Sequence, residues 1–187
     1  MDKRDIAAAF DKYGTDKGFQ HGYHHLYADV VNKVPAITRL LEVGVKKGRS
    51  IAAWLDLFPN TEIVGGDINL LEDIIPEAQR ATLIQGNSTK ASFAEAVGTG
   101  FDVIIDDGDH DVDVQWGTFL NLKESWNHAY IIEDVMGFEA VKTLRRRLKV
   151  DGYRNFVVYT SKLQDATIQK NGATVKFGFY AIVVYPK

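Results

Sequence analysis

Short apolar runs rich in β-branched residues recur along the chain, at residues 38–43, 61–65, 81–85, 101–105 and 129–132. Several are apolar on consecutive positions instead of alternate ones. Strands covered on both faces of a parallel sheet read this way. Helical patterns lie between them, clearest at 49–57 and 138–148. Two more helices are expected at 3–13 and 23–34, ahead of the first strand. Strand–helix alternation with short connections predicts βαβ units with right-handed crossovers. The last third changes character. Residues 153–160 and 174–185 read as two longer strands joined by a polar loop containing Asn171-Gly172, with no helix between them. They are expected to close the sheet as an antiparallel pair. The predicted architecture is a doubly wound, Rossmann-like α/β fold of about seven strands, mostly parallel with an antiparallel last strand.

Composition narrows the picture. A length of 187 residues fits one domain spanning 1–187, with a helical lid over 1–36 and a core over 37–187. The apolar fraction of 45% and charged fraction of 25% are ordinary for a globular chain. A net charge of −3 gives no reason to expect nucleic acid or an anionic membrane as a partner. The absence of cysteine excludes disulfides, thiolate metal sites and cysteine nucleophiles. No apolar run follows Met1-Asp2-Lys3-Arg4-Asp5, and no stretch reaches the length of a membrane span, so a cytoplasmic protein is expected.

The first strand runs into Leu41-Glu42-Val43-Gly44-Val45-Lys46-Lys47-Gly48-Arg49-Ser50 and then a helix. Gly44 and Gly48 permit positive φ and close approach of a ligand to the backbone. A glycine pair alone is weak, since any tight strand-to-helix turn uses one. It matches neither the dinucleotide fingerprint nor the phosphate loop. One βα unit later a strand ends on Asp67. An acid at this place, about 20 residues past the glycine turn, hydrogen-bonds ribose hydroxyls in doubly wound folds. The competing role is a helix cap, and ribose binding is the favoured one. Gln85-Gly86-Asn87-Ser88 ends the third strand, where an adenine ring would lie beside Asn87, although the same residues make an ordinary turn.

The most informative stretch is Phe101-Asp102-Val103-Ile104-Ile105-Asp106-Asp107-Gly108-Asp109-His110. A buried strand ends in two carboxylates, with a histidine three residues past the second. The next strand ends in Glu133-Asp134. Carboxylates gathered at one sheet edge repel unless a cation or proton intervenes. Oxygen donors suit a hard ion, Mg²⁺ before Ca²⁺ or Mn²⁺. The plainer alternative, acids that cap helices and face water, is weakened by two clusters at consecutive strand ends.

These residues, with Tyr13-Gly14-Thr15-Asp16-Lys17-Gly18, Gly22-Tyr23, Leu26-Tyr27 and Ile131-Ile132-Glu133-Asp134, resemble the class I S-adenosylmethionine-dependent, Mg²⁺-dependent O-methyltransferases of macrolide sugars and related natural products. The resemblance spans about residues 10–135. It implies that Asp107, Glu133 and Asp134 hold Mg²⁺ and that His110, working with Asp107, is the catalytic base. It places Glu42, Gly44, Gly48, Ser50, Asp67, Asn87 and Asp106 around S-adenosylmethionine. Tyr13, Thr15 and Lys17 then close over the methionine part. The acceptor it implies is a small hydroxylated molecule. A metal-bound diol would lose a proton to His110 and meet the methyl group in line. Two departures stand out. The family's Gly-Gly pair before the Glu-Asp strand is replaced by Lys123-Glu124-Ser125-Trp126-Asn127-His128. Its His-Gln pair after the base motif reads Val114-Gln115.

Other features weigh less. His21, His24 and His25 look like a metal cluster, but adjacent histidines on a helix point apart, and helix surface or lid packing is expected. Arg145-Arg146-Arg147 sits near a helix end, where cations offset the dipole. Trp54, Trp116 and Trp126 read as packing residues. Cleavage of the cofactor and cofactor binding without catalysis remain competing functions.

Overall fold

The computed structural model describes residues 1–170 and 173–187, with the side chains of 168–176 left aside. The Asn171-Gly172 loop therefore lies outside the described residues. In chain order the elements are α1 (Lys3–Tyr13), α2 (His24–Lys33), β1 (Arg39–Val43), α3 (Arg49–Leu57), β2 (Glu62–Asp67), a 3₁₀ turn (Pro76–Arg80), β3 (Thr82–Gln85), α4 (Ala91–Val97) and β4 (Phe101–Asp106). There follow α5 (Val112–Leu122), β5 (Trp126–Met136), α6 (Phe138–Val150), β6 (Phe156–Thr160), β7 (Ala166–Lys170), β8 (Ala173–Phe177) and β9 (Phe179–Val184).

Seven strands form one sheet in the order β3-β2-β1-β4-β5-β9-β6. Strand β9 runs antiparallel to both neighbours, and the other pairs are parallel. The expected doubly wound fold, antiparallel only in its last sheet strand, is the one observed. Both faces are covered, which explains the continuous apolar runs. On one face α1, α2 and α3 bury Phe10, Tyr27 and Trp54 against Leu40, Ile105 and Ile131. On the other, α4, α5 and α6 bury Phe93, Phe119 and Leu144 against Leu41, Ile104 and Ile132. The chain order reverses between β1 and β4, so the ligand crevice of such sheets falls at their carboxyl ends.

Two expectations need correction. The run 174–185 is not one strand. It divides at Gly178 into β8, which pairs with β7 in a separate two-stranded sheet, and β9. Gly178 packs against the Gln164 side chain, which also donates to the Ser161 and Phe179 carbonyls, so this corner leaves no room for a side chain. Strand β5 is also longer than 129–132. It starts at Trp126, in the segment where the family's glycine pair is missing, and continues through Glu133 and Asp134 to Met136. The two acids lie inside the strand, at an irregularity between Ile132 and Val135.

Asp102, at the amino end of β4, anchors the entry to β1. Its carboxylate accepts hydrogen bonds from the Thr38 N–H (2.6 Å), the Thr38 hydroxyl (2.8 Å) and the Arg39 N–H (3.1 Å). Burial pushes its pKa up, but these donors more than offset that and leave it below the ordinary value. A carboxyl depressed in the folded state adds stability above its unfolded pKa and loses it as pH falls through the folded one. Asp102→Ala should therefore cost about 1.5–3 kcal/mol at pH 7, the range for hydrogen bonds to a charged group. Urea melts at pH 7 and pH 3 should show the gap to wild type shrinking at the acid end.

Candidate active site

Alternation along three neighbouring strands builds the site. Leu40, Ile105 and Ile131 all face α1–α3. Two residues further on, each strand places an acid on the same face: Glu42 from β1, Asp107 just past β4 and Glu133 from β5. Register sets Glu42 beside Ile105 and Ile105 beside Ile131, so Asp107 and Glu133 are level with each other and lie two residues beyond Glu42. All three are buried, at 0%, 9% and 1% relative exposure.

The cation between them is Lys17. The segment linking α1 to α2 leaves α1 through Gly14 at φ 67° and folds into a compact loop, closed by Gly22 N–H to Gly18 O and Tyr23 N–H to Lys17 O, each 2.8 Å. Its ammonium lies 2.6 Å from Asp107 Oδ2, 2.6 Å from Glu133 Oε2 and 3.2 Å from Glu42 Oε1. The indole of Trp54 donates to Glu42 Oε2 at 2.9 Å, and the Tyr27 hydroxyl donates to Glu133 Oε1. Burial pulls the Lys17 pKa down, and the three carboxylates outweigh it, holding the ammonium charged. Burial pushes Glu42 and Glu133 above the usual carboxylate range. For Asp107, burial acts upward but the Lys17 ammonium wins, and the group stays ionised.

A second constellation adjoins the first. Asp107 Oδ1, Asp134 and His110 bring three ligand-type atoms within 4.8 Å of one another. His110 Nε2 is 3.7 Å from Asp107 Oδ1 and 3.8 Å from Asp134 Oδ2, and this buried nitrogen has no hydrogen-bond partner. The Asp107 carboxylate facing the imidazole raises its pKa. Asp134 has φ 51°, uncommon for a residue other than glycine and costly in backbone energy. It is held by the Tyr23 hydroxyl at 2.9 Å and lies 3.3 Å from His21 Nδ1. Gln115 fixes the turn from behind, donating to the Glu133 carbonyl at 2.8 Å.

The glycine turn abuts this cluster. Gly44 has φ 94°, and a Cβ there would collide with the Asp107 carbonyl. Two clefts meet along this contact, sharing Gly44, Lys46 and Asp107. The smaller, about 390 Å³, is flanked by Asp67, Ile68, Asn87 and Gly108. The larger, about 810 Å³, is flanked by Thr15, Asp16, Phe19, Arg49 and Ser50. Asp67 accepts from the Val45 N–H (2.7 Å) and Lys46 N–H (3.0 Å), and so braces the turn. Asn87 caps its own turn through Thr89 and faces the smaller cleft. Gly48 starts α3 at φ 76°.

Three residues expected at the cofactor do not line either cleft. Asp106 points to the opposite sheet face, where Tyr130 donates to it at 3.3 Å and burial pushes its pKa up to about 7. Tyr13 packs against the apolar core. Lys17 lies beneath the clefts in the acid cluster. Conversely, His21 and Gln115 are parts of the site that their sequence context does not reveal, and Tyr23, quoted above in the motif, gains a role as donor to Asp134. The only prior hint was their place beside the Gly-Thr-Asp-Lys segment and after the histidine motif.

Removing the buried cation tests the cluster. Lys17→Met should destabilise the chain by about 3–5 kcal/mol at pH 8, the cost of leaving buried charges unpaired. The freed carboxylates would then take up protons, so the loss should be smaller at pH 5.5. Thermal melts at both pH values check the size and the sign.

No family profile matches the chain. It is 31% identical over 123 residues to the mycinamicin VI 2''-O-methyltransferase of Micromonospora griseorubida, covering 58% of this chain and 30% of the relative. It is 29% identical over 139 residues to the 8-demethyl-8-(2-methoxy-alpha-L-rhamnosyl)-tetracenomycin-C 3'-O-methyltransferase of Streptomyces olivaceus, covering 68% and 34%. The chain thus spans about a third of the length of these relatives. Among solved structures it matches the MycE methyltransferase of the mycinamycin pathway, in complex with Mg, SAH and mycinamycin VI, at TM-score 0.61 and 29% identity over 70% of this chain and 37% of that one. A methyltransferase from Archaeoglobus fulgidus shares the fold alone, at TM-score 0.56 and 14% identity over 99% and 95% of the two chains. Among the described residues no helix is long and apolar enough to cross a membrane. The strand order and the glycine turn are those of a class I methyltransferase fold, and the relatives that the chain matches in part are named as O-methyltransferases.

Proposed function

We propose that this chain transfers a methyl group from S-adenosylmethionine to a hydroxyl of a small molecule, with a divalent cation, Mg²⁺ first, at the acid cluster. The observation that carries this is one contact. The Gly44 turn and Asp107 touch, so the nucleotide end of the sheet and the acid–histidine cluster form one continuous surface. The relatives are named as O-methyltransferases, one of them of a rhamnosyl-bearing compound, which supports transfer over cofactor cleavage or passive binding.

The cofactor supplies an electrophilic sulfonium methyl group. The residues suited to hold it line the smaller cleft: Asp67 toward the ribose, Asn87 toward the base and the Gly44–Lys46 backbone between them. Thr15 and Ser50 border the adjoining cleft, where the methionine part would lie. The donor set also fits a hard cation. Asp107 and Asp134 turn oxygens toward each other and toward the unpartnered His110 nitrogen. Glu133, the third acid of the proposed set, has its oxygens engaged by Lys17 and Tyr27. It would serve as a ligand only with the Lys17 ammonium displaced, whereas Asp107 and Asp134 could hold the ion with Lys17 in place. His110 Nε2, free of any hydrogen bond, is the proton acceptor for the substrate hydroxyl, with Asp107 and Asp134 stabilising the imidazolium that results.

Calorimetry with S-adenosylhomocysteine should detect binding, and Asp67→Ala should weaken it by about 1–3 kcal/mol. Unchanged affinity would remove Asp67 from the ribose site. His110→Ala should abolish S-adenosylhomocysteine production from a hydroxylated acceptor while leaving cofactor affinity within about threefold, since general-base help is typically worth about 10²–10⁴ in rate. Full turnover in excess chelator would rule out the cation.

A further inference from the structure

A second cleft lies far from this site. It measures about 560 Å³ and is lined by Lys142, Arg145, Arg146, Lys149 and Arg154, with Val150 as its one apolar wall. Helix α6 leaves β5 beside the acid cluster and runs back along the sheet, so its last turns reach the amino ends of the strands. Residues 142, 145, 146 and 149 are spaced three and four apart and share one helical face. Gly152, at φ 96°, then turns the chain so that Arg154 completes the cluster.

Folding does not account for this arrangement. Like charges at these spacings repel. The helix dipole favours cations in the last turn, which holds Arg147 and Lys149, and not at 142, 145 or 154. Arg147 points elsewhere, to Asp113. Asp151, the nearest acid in sequence, is turned to Lys123 and Lys187. Within the cleft only Lys142 has an acidic partner, the exposed Glu139. Arg145, Arg146, Lys149 and Arg154 make no ion pair among the described residues. The Arg145 guanidinium lies over the Phe156 ring, and its buried Nε lacks a hydrogen-bond partner. A chain with more acids than bases, 25 against 22, thus collects five cations around one concavity and excludes acids from its walls.

We propose that this cleft binds a diphosphate group carried on a small organic molecule. Three guanidinium forks match phosphate oxygens in pairs, and two ammonium groups add charge without geometric demand. The five cations are gathered on one helical face and the turn after it, a spacing that fits a compact, highly charged group better than an extended acidic peptide. Val150, 84% exposed, offers the organic body an apolar rest.

The test is an NMR titration of the ¹⁵N-labelled chain at constant ionic strength with pyrophosphate, ADP, sulfate and a hepta-glutamate peptide as separate probes. Pyrophosphate and ADP should shift amides of residues 142–154, with ADP binding at least as tightly. The double variant Arg146→Ala/Lys149→Ala should weaken both by about tenfold or more, as expected for losing two charge-assisted contacts. Both positions are exposed, and an unchanged S-adenosylhomocysteine titration would show that the fold is intact. Equal shifts with sulfate, tighter binding of the peptide, or an unaltered double variant would each overturn the proposal.

Discussion

One ammonium group holds the functional end of this molecule together. Three buried carboxylates on adjacent strand ends could not remain ionised side by side in a medium from which water is excluded. Lys17 resolves the conflict by reaching between them from a loop that is not part of the sheet. That choice has structural consequences. The loop must lie flat against the strand ends, so α1 must end in a left-handed glycine and α2 must begin within a few residues. Tyr23 and Tyr27, one turn apart at the start of α2, then fall over Asp134 and Glu133 and supply the remaining donors. The N-terminal helices are thus bound to the core by buried charge as well as by apolar packing.

Two adjacent acid pairs behave differently, and the contrast shows what backbone geometry decides. Asp106 and Asp107 obey strand alternation: one turns to Tyr130 on the far face and the other to Lys17. Glu133 and Asp134 do not. The irregularity in β5 and the positive φ at Asp134 return the second acid to the face of the first. The strain is repaid in donors, from Tyr23 to the Asp134 side chain and from Gln115 to the Glu133 carbonyl. The result is a concave set of oxygens facing His110, which an unbroken strand would not present.

Much of this was legible in the sequence, and the gaps have physical causes. The apolar runs mark the strands because burial on both sides demands them, and the order of glycine turn, acid and histidine marks the sheet edge where these groups meet. Asp106 shares a motif with its neighbour, yet the strand period of two sends it to the other face. That Lys17 reaches the buried acids is not written in its neighbourhood, because no local pattern tells which buried group a loop will meet. The lost His-Gln pair drew attention to Val114, whereas Gln115 kept the structural task. The division of residues 174–185 at Gly178 depends on the packing of Gln164, which comes from a distant segment.

Charge is segregated along the strands. A cluster of acids lies at the carboxyl edge, and a cluster of cations, most without an acidic partner, lies at the amino end beside α6. An acid-lined edge repels anions and attracts cations, which suits a sulfonium cofactor and a divalent metal alike. The same field would oppose any acceptor carrying phosphate. A phosphorylated molecule would be turned away from the acids and drawn to the opposite end of the sheet. The two ends therefore discriminate by charge before either makes a specific contact. Their separation keeps the acid cluster and the cation cluster from neutralising each other, because screening over the length of the sheet uncouples them.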